Sequence, residues 1–211
     1  ISTSVSIAAL PVANAGADIT ICDGDSIAIG GSPTGPGGSS FSWSPSATLN
    51  SGSNANPEAT PLITTDYIVL VSNSGCTDQD TIRVNVSVPS VSAGTDLAVC
   101  VGDSVQIQAQ GTGSVVWSPA GGLSATNVLD PFAFPIATTD YIVTLTDSAT
   151  CIAQDTIQVL VNQLPVANAG ADTSACTNEM IVIGGAPTGP SGSTYTWSPA
   201  GGLSDANSAN P

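Results

Sequence analysis

The sequence contains almost no positive charge. Its 211 residues include sixteen aspartates and glutamates, one arginine (Arg83), no lysine and no histidine, so the formal net charge is −15. Proteins that bind nucleic acid neutralise its phosphates with Lys and Arg, and anionic membrane surfaces attract the same cations. Apolar runs long enough to span a bilayer are also missing. We therefore expect no nucleic acid partner, no docking on a membrane surface and no membrane insertion.

The residues that most enzymes use for catalysis are scarce. Without His there is no ordinary general base, and without Lys there is no amine for Schiff-base or phosphate chemistry. Paired carboxylates remain, at Asp18, Asp23 and Asp25 near the first GDS motif and at Asp78 and Asp80. However, Asp before Ser or Thr at the start of a strand is common turn chemistry. We therefore predict no catalytic residue, no cofactor-binding residue and a protein that is not an enzyme.

An internal repeat organises the sequence. The octapeptide PVANAGAD occurs at 11–18 and again at 165–172, and the related PSVSAGTD occupies 89–96. Each copy is followed by a Cys, a turn-rich loop and a WSP motif, in the same order and at similar spacing. Self-similarity of this kind indicates an array of structural units. The predicted domains are repeat one, repeat two, an incomplete repeat three and the last strand of a preceding repeat, at residues 11–88, 89–164, 165–211 and 1–10 respectively.

Apolar residues alternate with Ser and Thr in segments that recur from repeat to repeat. Tyr67, Val69 and Val71 share one face of such a segment, and Phe41 and Trp43 do so in another. A period of two, in short segments separated by Gly, Pro and Ser turns, is typical of a β-sandwich. We predict an all-β fold, a tandem array of small Ig-like sandwiches of about seven strands each. Short Pro-led joints predict that the units follow end to end as a rod.

The tryptophans and two tyrosines recur at equivalent positions. We expect the indoles to anchor the cores rather than to bind ligands, at Trp43, Trp117 and Trp197. The segment around Tyr195 and Trp197 should form a strand, as its counterparts do. Tyr67 and Tyr141 each follow a TTD corner, where a Tyr hydroxyl commonly hydrogen-bonds backbone.

These motifs resemble PKD-like and Ig-like repeats. They are closer still to the tandem repeats of large secreted surface proteins of Bacteroidota, through C-x-GDS, WSPAGGLS, ANP, TTDYIV and DTI. The resemblance covers the whole chain, although WSP replaces the WDFGDG that defines PKD repeats. It implies an Ig-like sandwich, an extracellular or cell-surface location, export by the type IX system and a role in gliding or adhesion.

Two cysteines recur in each complete repeat. Cys22 and Cys76 are 54 residues apart, and Cys100 and Cys151 are 51 residues apart. In a small secreted β unit this pattern indicates one disulfide per repeat, which contributes about 4 kcal/mol in the chain-entropy model. The alternatives are free buried thiols and a metal site, but the sequence lacks His and C-x-x-C spacing. We therefore predict disulfides and no metal ligand.

The third repeat is incomplete in this sequence. Cys176 aligns with Cys22 and Cys100 and has no partner in the sequence, and residues 165–211 lack the TTDYIV and DTI segments. We expect a segment of a longer tandem array, because residues 1–10 precede Pro11 as a last strand would. The alternative is that neighbouring subunits complete one another by adding a strand.

Recurrent aspartates suggest two further features. A weak Ca²⁺ site is one alternative, because Asp recurs at fixed positions, namely Asp18, Asp96, Asp172, Asp80 and Asp155, although a D-x-D-x-D loop is missing. Asp-Ser or Asp-Thr before a small or aliphatic residue resembles the O-glycosylation sequon of secreted Bacteroidota proteins. That resemblance implies sugars on Ser26, Thr81, Ser104, Ser148 and Thr156. The plain alternative is that these dipeptides begin strands after turns.

The combined features predict a mechanical role. We expect a structural segment of an extracellular fibre or cell-surface stalk, whose partner is itself through tandem or filament assembly. The alternative is an adhesin whose repeats bind polysaccharide or a partner cell surface. An adhesin should present exposed aromatic side chains in its repeated loops, where this sequence has Ser, Gly and Pro.

Overall fold

The structure is a computed structural model and describes residues 9–211. The strand predicted at residues 1–10 therefore lies, apart from its last two residues, outside the described part. Residues 9–211 form strands, turns and loops. Among them there is no helix that could cross a membrane.

Repeat one contains a four-stranded sheet and a two-stranded sheet. The strands are β1 (Ile19–Cys22), β2 (Ile27–Ala28), β3 (Ser40–Ser44), β4 (Glu58–Ala59), β5 (Thr65–Asn73) and β6 (Cys76–Ser87). The larger sheet has the order β1-β6-β5-β3, and β2 pairs with β4. The β5–β6 hairpin turns through Ser74 and Gly75, both with positive φ. Strand β1 runs parallel to the end of β6, and all the other pairs are antiparallel.

Repeat two has the same architecture with two additional short strands. Its strands are β7 (Val91–Ser92), β8 (Leu97–Cys100), β9 (Val105–Gln106), β10 (Gln110–Gly111), β11 (Ser114–Ser118), β12 (Phe132–Ala133), β13 (Thr139–Thr146) and β14 (Ile152–Asn162). The main sheet has the order β11-β13-β14-β8, with β8 parallel to β14. The smaller pairs are β9–β12 and β7–β10. The prediction of an all-β, Ig-like fold is confirmed.

Each complete repeat has its own core, built from the alternating apolar residues. Trp43 and Trp117 are 3% and 2% exposed, so their predicted role as core anchors is confirmed. Each indole N–H also donates to a loop carbonyl at 2.9 Å, on Asn54 and Val128 respectively. The two buried clusters share no residue. The last two strands of each complete repeat, β5–β6 and β13–β14, form a closing hairpin. The two closing hairpins supply most of the large, fully buried side chains, at Tyr67, Val69, Val71, Val84, Tyr141, Val143, Leu145, Ile157 and Val159.

Of the two tyrosines that follow TTD corners, Tyr141 makes the expected hydrogen bond to backbone and Tyr67 does not. The Tyr141 hydroxyl donates to the carbonyl of Gly121 at 3.0 Å, as predicted for a backbone contact. The Tyr67 hydroxyl instead lies 2.5 Å from the Thr48 hydroxyl, so its partner is a side chain. Burial raises the pKa of the Tyr141 phenol.

Residues 165–211 of repeat three have the loops of the other repeats without their strands. The Trp197 indole donates to Ser208 at 2.9 Å, as its counterparts do in both complete repeats, and Gly185 N–H donates to Asn168 at 2.8 Å, as Gly31 N–H does to Asn14 in repeat one. None of these residues lies in a strand, so the strand predicted around Tyr195 and Trp197 is absent. In repeat two the equivalent strand, β11, pairs with β13, and residues 165–211 contain no counterpart of β13.

Candidate functional site

The recurrent aspartates connect the first segment of each complete repeat to its last strand. Ala15 N–H donates to Asp80 at 2.8 Å, and Ala93 N–H makes the equivalent bond to Asp155 at 2.8 Å. The hydrogen bond from Ala93, together with a second from Thr156 N–H, lowers the pKa of Asp155. These carboxylates therefore hold strands together, since they satisfy edge N–H groups that would otherwise lack a partner.

The other recurrent pair of aspartates has a similar structural role. Asp18 accepts from Arg83 N–H and Asp96 accepts from Gln158 N–H, each at 2.9 Å. These backbone contacts account for the recurrence of Asp in the two complete repeats, and the Ca²⁺ site stays a prediction. In the part of the chain that the structure describes, no three His, Cys, Asp or Glu side chains are grouped as metal ligands.

A disulfide joins the two complete repeats. Cys22, the last residue of β1, is bonded to Cys151, which directly precedes β14, with their Cα atoms 5.4 Å apart. The predicted pairing within each repeat is therefore wrong for these two cysteines. Cys76 and Cys100, which were predicted to bond them, are free thiols in the structure.

Strand register explains why the bond cannot form within a repeat. Cys22 lies opposite Ser87 at one end of β6, and Cys76 lies at the other end of the same strand. Eleven residues of extended strand separate those positions, which is about 36 Å. Cys100 lies opposite Asn162 and is just as far from Cys151 along β14. A disulfide requires Cα atoms within about 7 Å, so each repeat carries its two cysteines at opposite ends.

Polar contacts surround this disulfide and complete the joint, by which we mean Cys22, Ser87, Asp147 and Cys151. The Ser87 hydroxyl of repeat one donates to the Asp147 carboxylate of repeat two. The other oxygen of Asp147 accepts from Ala149 N–H and Cys151 N–H, both at 2.8 Å. The Ser87 hydrogen bond is the main reason that the pKa of Asp147 lies below its usual value. Asp147 thus shapes the loop that presents Cys151 and also contacts the neighbouring repeat.

Cysteine spacing contains no information about strand direction, so it does not predict this joint. In the structure, β1 runs parallel to the end of β6 and therefore carries Cys22 away from the β5–β6 turn of its own repeat. The remaining cysteines differ in access to solvent. Cys151 is 2% exposed, Cys76 is half-buried, and Cys100 and Cys176 are exposed. Asp147 lies in the Asp-Ser motif that includes Ser148, but that motif gave no indication of a contact with Ser87.

The residues implied by the glycosylation resemblance are all at the surface. They are exposed and lie on turns, at the outward face of the last strands, or beside the joint, at Ser26, Ser104, Thr81, Thr156 and Ser148. Their exposure is compatible with modification and with ordinary turn chemistry alike, so glycosylation stays a prediction.

Comparison with known proteins returns structural similarity only. No protein-family model and no curated protein matches the chain. An I-band fragment of titin is similar at 13% identity and a TM-score of 0.48, over 75% of this chain and 68% of that one. The first two Ig domains of DIP-gamma match at 13% identity and 0.42, over 72% and 98%. Extracellular domains 3 to 5 of Drosophila OTK match at 11% and 0.33, over 83% and 73%.

Proposed function

We propose that the chain is a structural segment of an extracellular fibre or cell-surface stalk. Its Ig-like units, at 11–88, 89–164 and the incomplete 165–211, follow one another as a rod, and the units are the partners of one another. The observation that carries this proposal is the bond between Cys22 and Cys151. A disulfide inside a unit would stabilise that unit alone, whereas a disulfide between units also fixes how one follows the next.

The position of the bond suits a chain under tension. Cys22 lies near the start of repeat one, and Cys151 lies near the end of repeat two. When the chain is pulled at its two ends, the disulfide therefore bears the load in place of most of both repeats. The disulfide links residues 129 positions apart, so force bypasses the strands between the two cysteines. These strands cannot be extended while the disulfide is intact. The same closed loop stabilises the folded pair by about 5 kcal/mol in the chain-entropy model.

Location and surface chemistry fit the same proposal. A structural disulfide persists in oxidising, extracellular compartments. The net charge of −15 would keep parallel rods apart unless sugars or cations bridge them. We include glycosylation at the exposed Asp-Ser and Asp-Thr motifs, and an origin among secreted Bacteroidota proteins, as further parts of this proposal. No catalytic role is included.

One observation favours the alternative that the repeats act as an adhesin. Phe132 and Phe134 of repeat two are 49% and 48% exposed, on and beside β12. The equivalent residues of repeat one are Glu58 and Thr60. A binding surface repeated along the array would need the aromatic side chains in both repeats, so polysaccharide or cell-surface binding is the second candidate.

Force spectroscopy on single chains tests the mechanical role. With the chain held by its two ends under non-reducing conditions, we expect the segment between Cys22 and Cys151, which are separated by 129 positions, to stay locked. The Cys22→Ser variant should release this segment and extend by about 430–460 Å of contour length, less the folded length already spanned. Extension is read from the force–distance trace.

A matched variant controls for the loss of a thiol. Cys100→Ser removes a cysteine that is free in the structure and should leave the locked length unchanged. The proposal fails if the unsubstituted, oxidised chain releases the full length, or if Cys22→Ser adds no extension.

A further inference from the structure

Cys100 occupies the same position in repeat two that Cys22 occupies in repeat one. Each is the last residue of a short strand that runs parallel to the end of the closing strand, opposite Asn162 and Ser87 respectively. Cys22 is bonded to the following repeat, whereas Cys100 is exposed and free. The chain therefore carries one half of a second joint at the far end of repeat two.

The closing hairpin β13–β14 has two roles in repeat two. Its buried residues form one core with Trp117, and its tip carries Cys151 to Cys22 of the preceding repeat. The same hairpin therefore completes the core of its own repeat and presents the cysteine that bonds the preceding repeat.

Residues 165–211 leave open the places that such a closing segment fills. In repeat one, Ala59 of β4 pairs with Ile27 and bridges to Leu49. Between the equivalent residues of repeat three, Ile181 and Leu203, there is a groove of about 660 Å³. Ile181 itself is 40% exposed, whereas its counterpart Ile27 in repeat one is half-buried.

A second groove marks the missing hairpin. It has a volume of about 310 Å³ and lies between Ala167 and Trp197, where the complete repeats have their core. Trp197 is partly exposed, in contrast to the buried Trp43 and Trp117. The two grooves together match a segment that begins as β12 does and continues into a β13–β14 hairpin.

We propose that Cys100 bonds the tip cysteine of a hairpin of the β13–β14 type that closes residues 165–211, as Cys22 bonds Cys151. This inference rests on the proposed end-to-end array and extends it into a rule for the array. The first cysteine of each unit bonds the second cysteine of the next, and Cys76 accepts the first cysteine of a preceding unit. Successive disulfide loops then overlap, and the overlap here covers residues 100–151.

Formation of the bond follows ordinary thiol–disulfide exchange. The Cys100 thiolate attacks a low-molecular-weight disulfide and releases one thiol, which leaves a mixed disulfide on the protein. The tip cysteine then attacks the Cys100 sulfur and releases the second thiol. Two protons and two electrons pass from the two cysteines to the reagent, which is reduced to two thiols.

An extended chain tests this rule directly. A copy of residues 132–164 is joined after Pro211, so that repeat three receives the closing segment of repeat two. After oxidation by a low-molecular-weight disulfide, the free thiols should be Cys76 and Cys176, and Cys100 should be bonded to the copied tip cysteine. Alkylation of the denatured chain, followed by peptide mass spectrometry, identifies each thiol. The matched control carries Cys→Ser at the copied tip only and should keep Cys100 free.

Acrylamide quenching of tryptophan fluorescence reports closure independently, since the copied segment contains no Trp. We expect Trp197 to become shielded in both the extended chain and its control. The rule is overturned if Trp197 is shielded while Cys100 stays free, if the copied cysteine bonds Cys176 instead, or if Trp197 stays accessible. None of these results would alter the force response governed by Cys22 and Cys151, so the proposed function can fail or survive separately.

Discussion

Repeats two and three have the same loops, but only repeat two has a closed core. In both, the WSP loop holds the indole N–H against a carbonyl at 2.9 Å, on Val128 and on Ser208. In both, the Trp backbone N–H donates to a loop carbonyl, at 2.7 Å and 2.8 Å. Yet Trp117 is 2% exposed, while Trp197 remains partly open to solvent.

The difference separates local from long-range causes of structure. The loop contacts join residues nine to eleven positions apart, and they form whether or not a sheet is present. The core requires β13 and β14, which lie beside β11 in the same sheet and contribute many of the buried side chains that pack with Trp117. Burial of large apolar side chains is the dominant stabilising contribution, so the closing hairpin decides which repeat is stable.

The largest expected effect comes from removing the indole in each setting. Trp117→Ala should lower the free energy of unfolding of repeat two by about 3–5 kcal/mol, because it leaves a cavity in a closed core. Trp197→Ala should leave the main unfolding transition within about 0.5 kcal/mol, as expected for a position outside any closed core. Urea unfolding followed by far-ultraviolet circular dichroism measures both. Equal losses for the two variants would mean that repeat three already has a core of its own.

Sequence patterns predicted the fold because the pattern and the core have the same cause. Alternation at Tyr141, Val143 and Leu145 required a strand with one buried face, and all three are fully buried. The same argument failed around Tyr195 and Trp197, because alternation shows which face would be buried and does not supply the partner strand. Periodicity predicts a strand only where the chain also provides its neighbour.

The joint could not be predicted from residue types. Pairing Cys22 with Cys76 is the natural expectation from two cysteines in one unit, and it ignores where a parallel first strand ends. The decisive fact is the register that sets Cys22 opposite Ser87, at the end of β6 farthest from Cys76. Register depends on long-range pairing, which composition and spacing do not contain. The role of Asp147 could not be predicted for the same reason, since its partner Ser87 belongs to another repeat.

A smaller effect tests the octapeptide that repeats one and three share. A Cβ added to Gly31 would lie 2.2 Å from the side-chain Cγ of Asn14, and one added to Gly185 would lie 2.2 Å from that of Asn168. Gly31→Ala should therefore destabilise repeat one by about 1–3 kcal/mol through overpacking. Gly185→Ala makes the same clash in a repeat without a core and should leave the urea midpoint of the complete repeats unchanged.

The sequence of repeat two suggests a second substitution that should restore the stability lost in Gly31→Ala. Its residues at the two positions are Ser92 and Ala109, so a smaller side chain accompanies the added methyl group. The double variant Asn14→Ser with Gly31→Ala should recover most of the stability lost in Gly31→Ala. A double-mutant cycle measures the coupling, and additive losses would show that the Asn14 contact is not the cause.

The smallest expected effect is on the pH dependence of stability, and it concerns repeat two, which has a closing strand, and not repeat three. Hydrogen bonds from Ala93 N–H and Thr156 N–H lower the pKa of Asp155 from its usual 3.8 in the folded state. Folded repeat two thus binds fewer protons than the unfolded chain in this range. Its stabilisation by Asp155 is present above the unfolded pKa and is lost as the pH falls through the folded one. Repeat three has no closing strand and no equivalent carboxylate within residues 165–211.

Asp155→Asn keeps an acceptor for Ala93 N–H but removes the titrating charge, so it separates the charge from the hydrogen bond. Thermal unfolding midpoints at pH 6 and pH 3 should differ less in this variant than in the unsubstituted chain. Asp103→Asn is the matched control, because it removes the same charge from an exposed carboxylate without a strand-to-strand contact among the described residues. If both variants flatten the pH dependence equally, net charge governs acid stability, and the link between first and last strands through Asp155 does not.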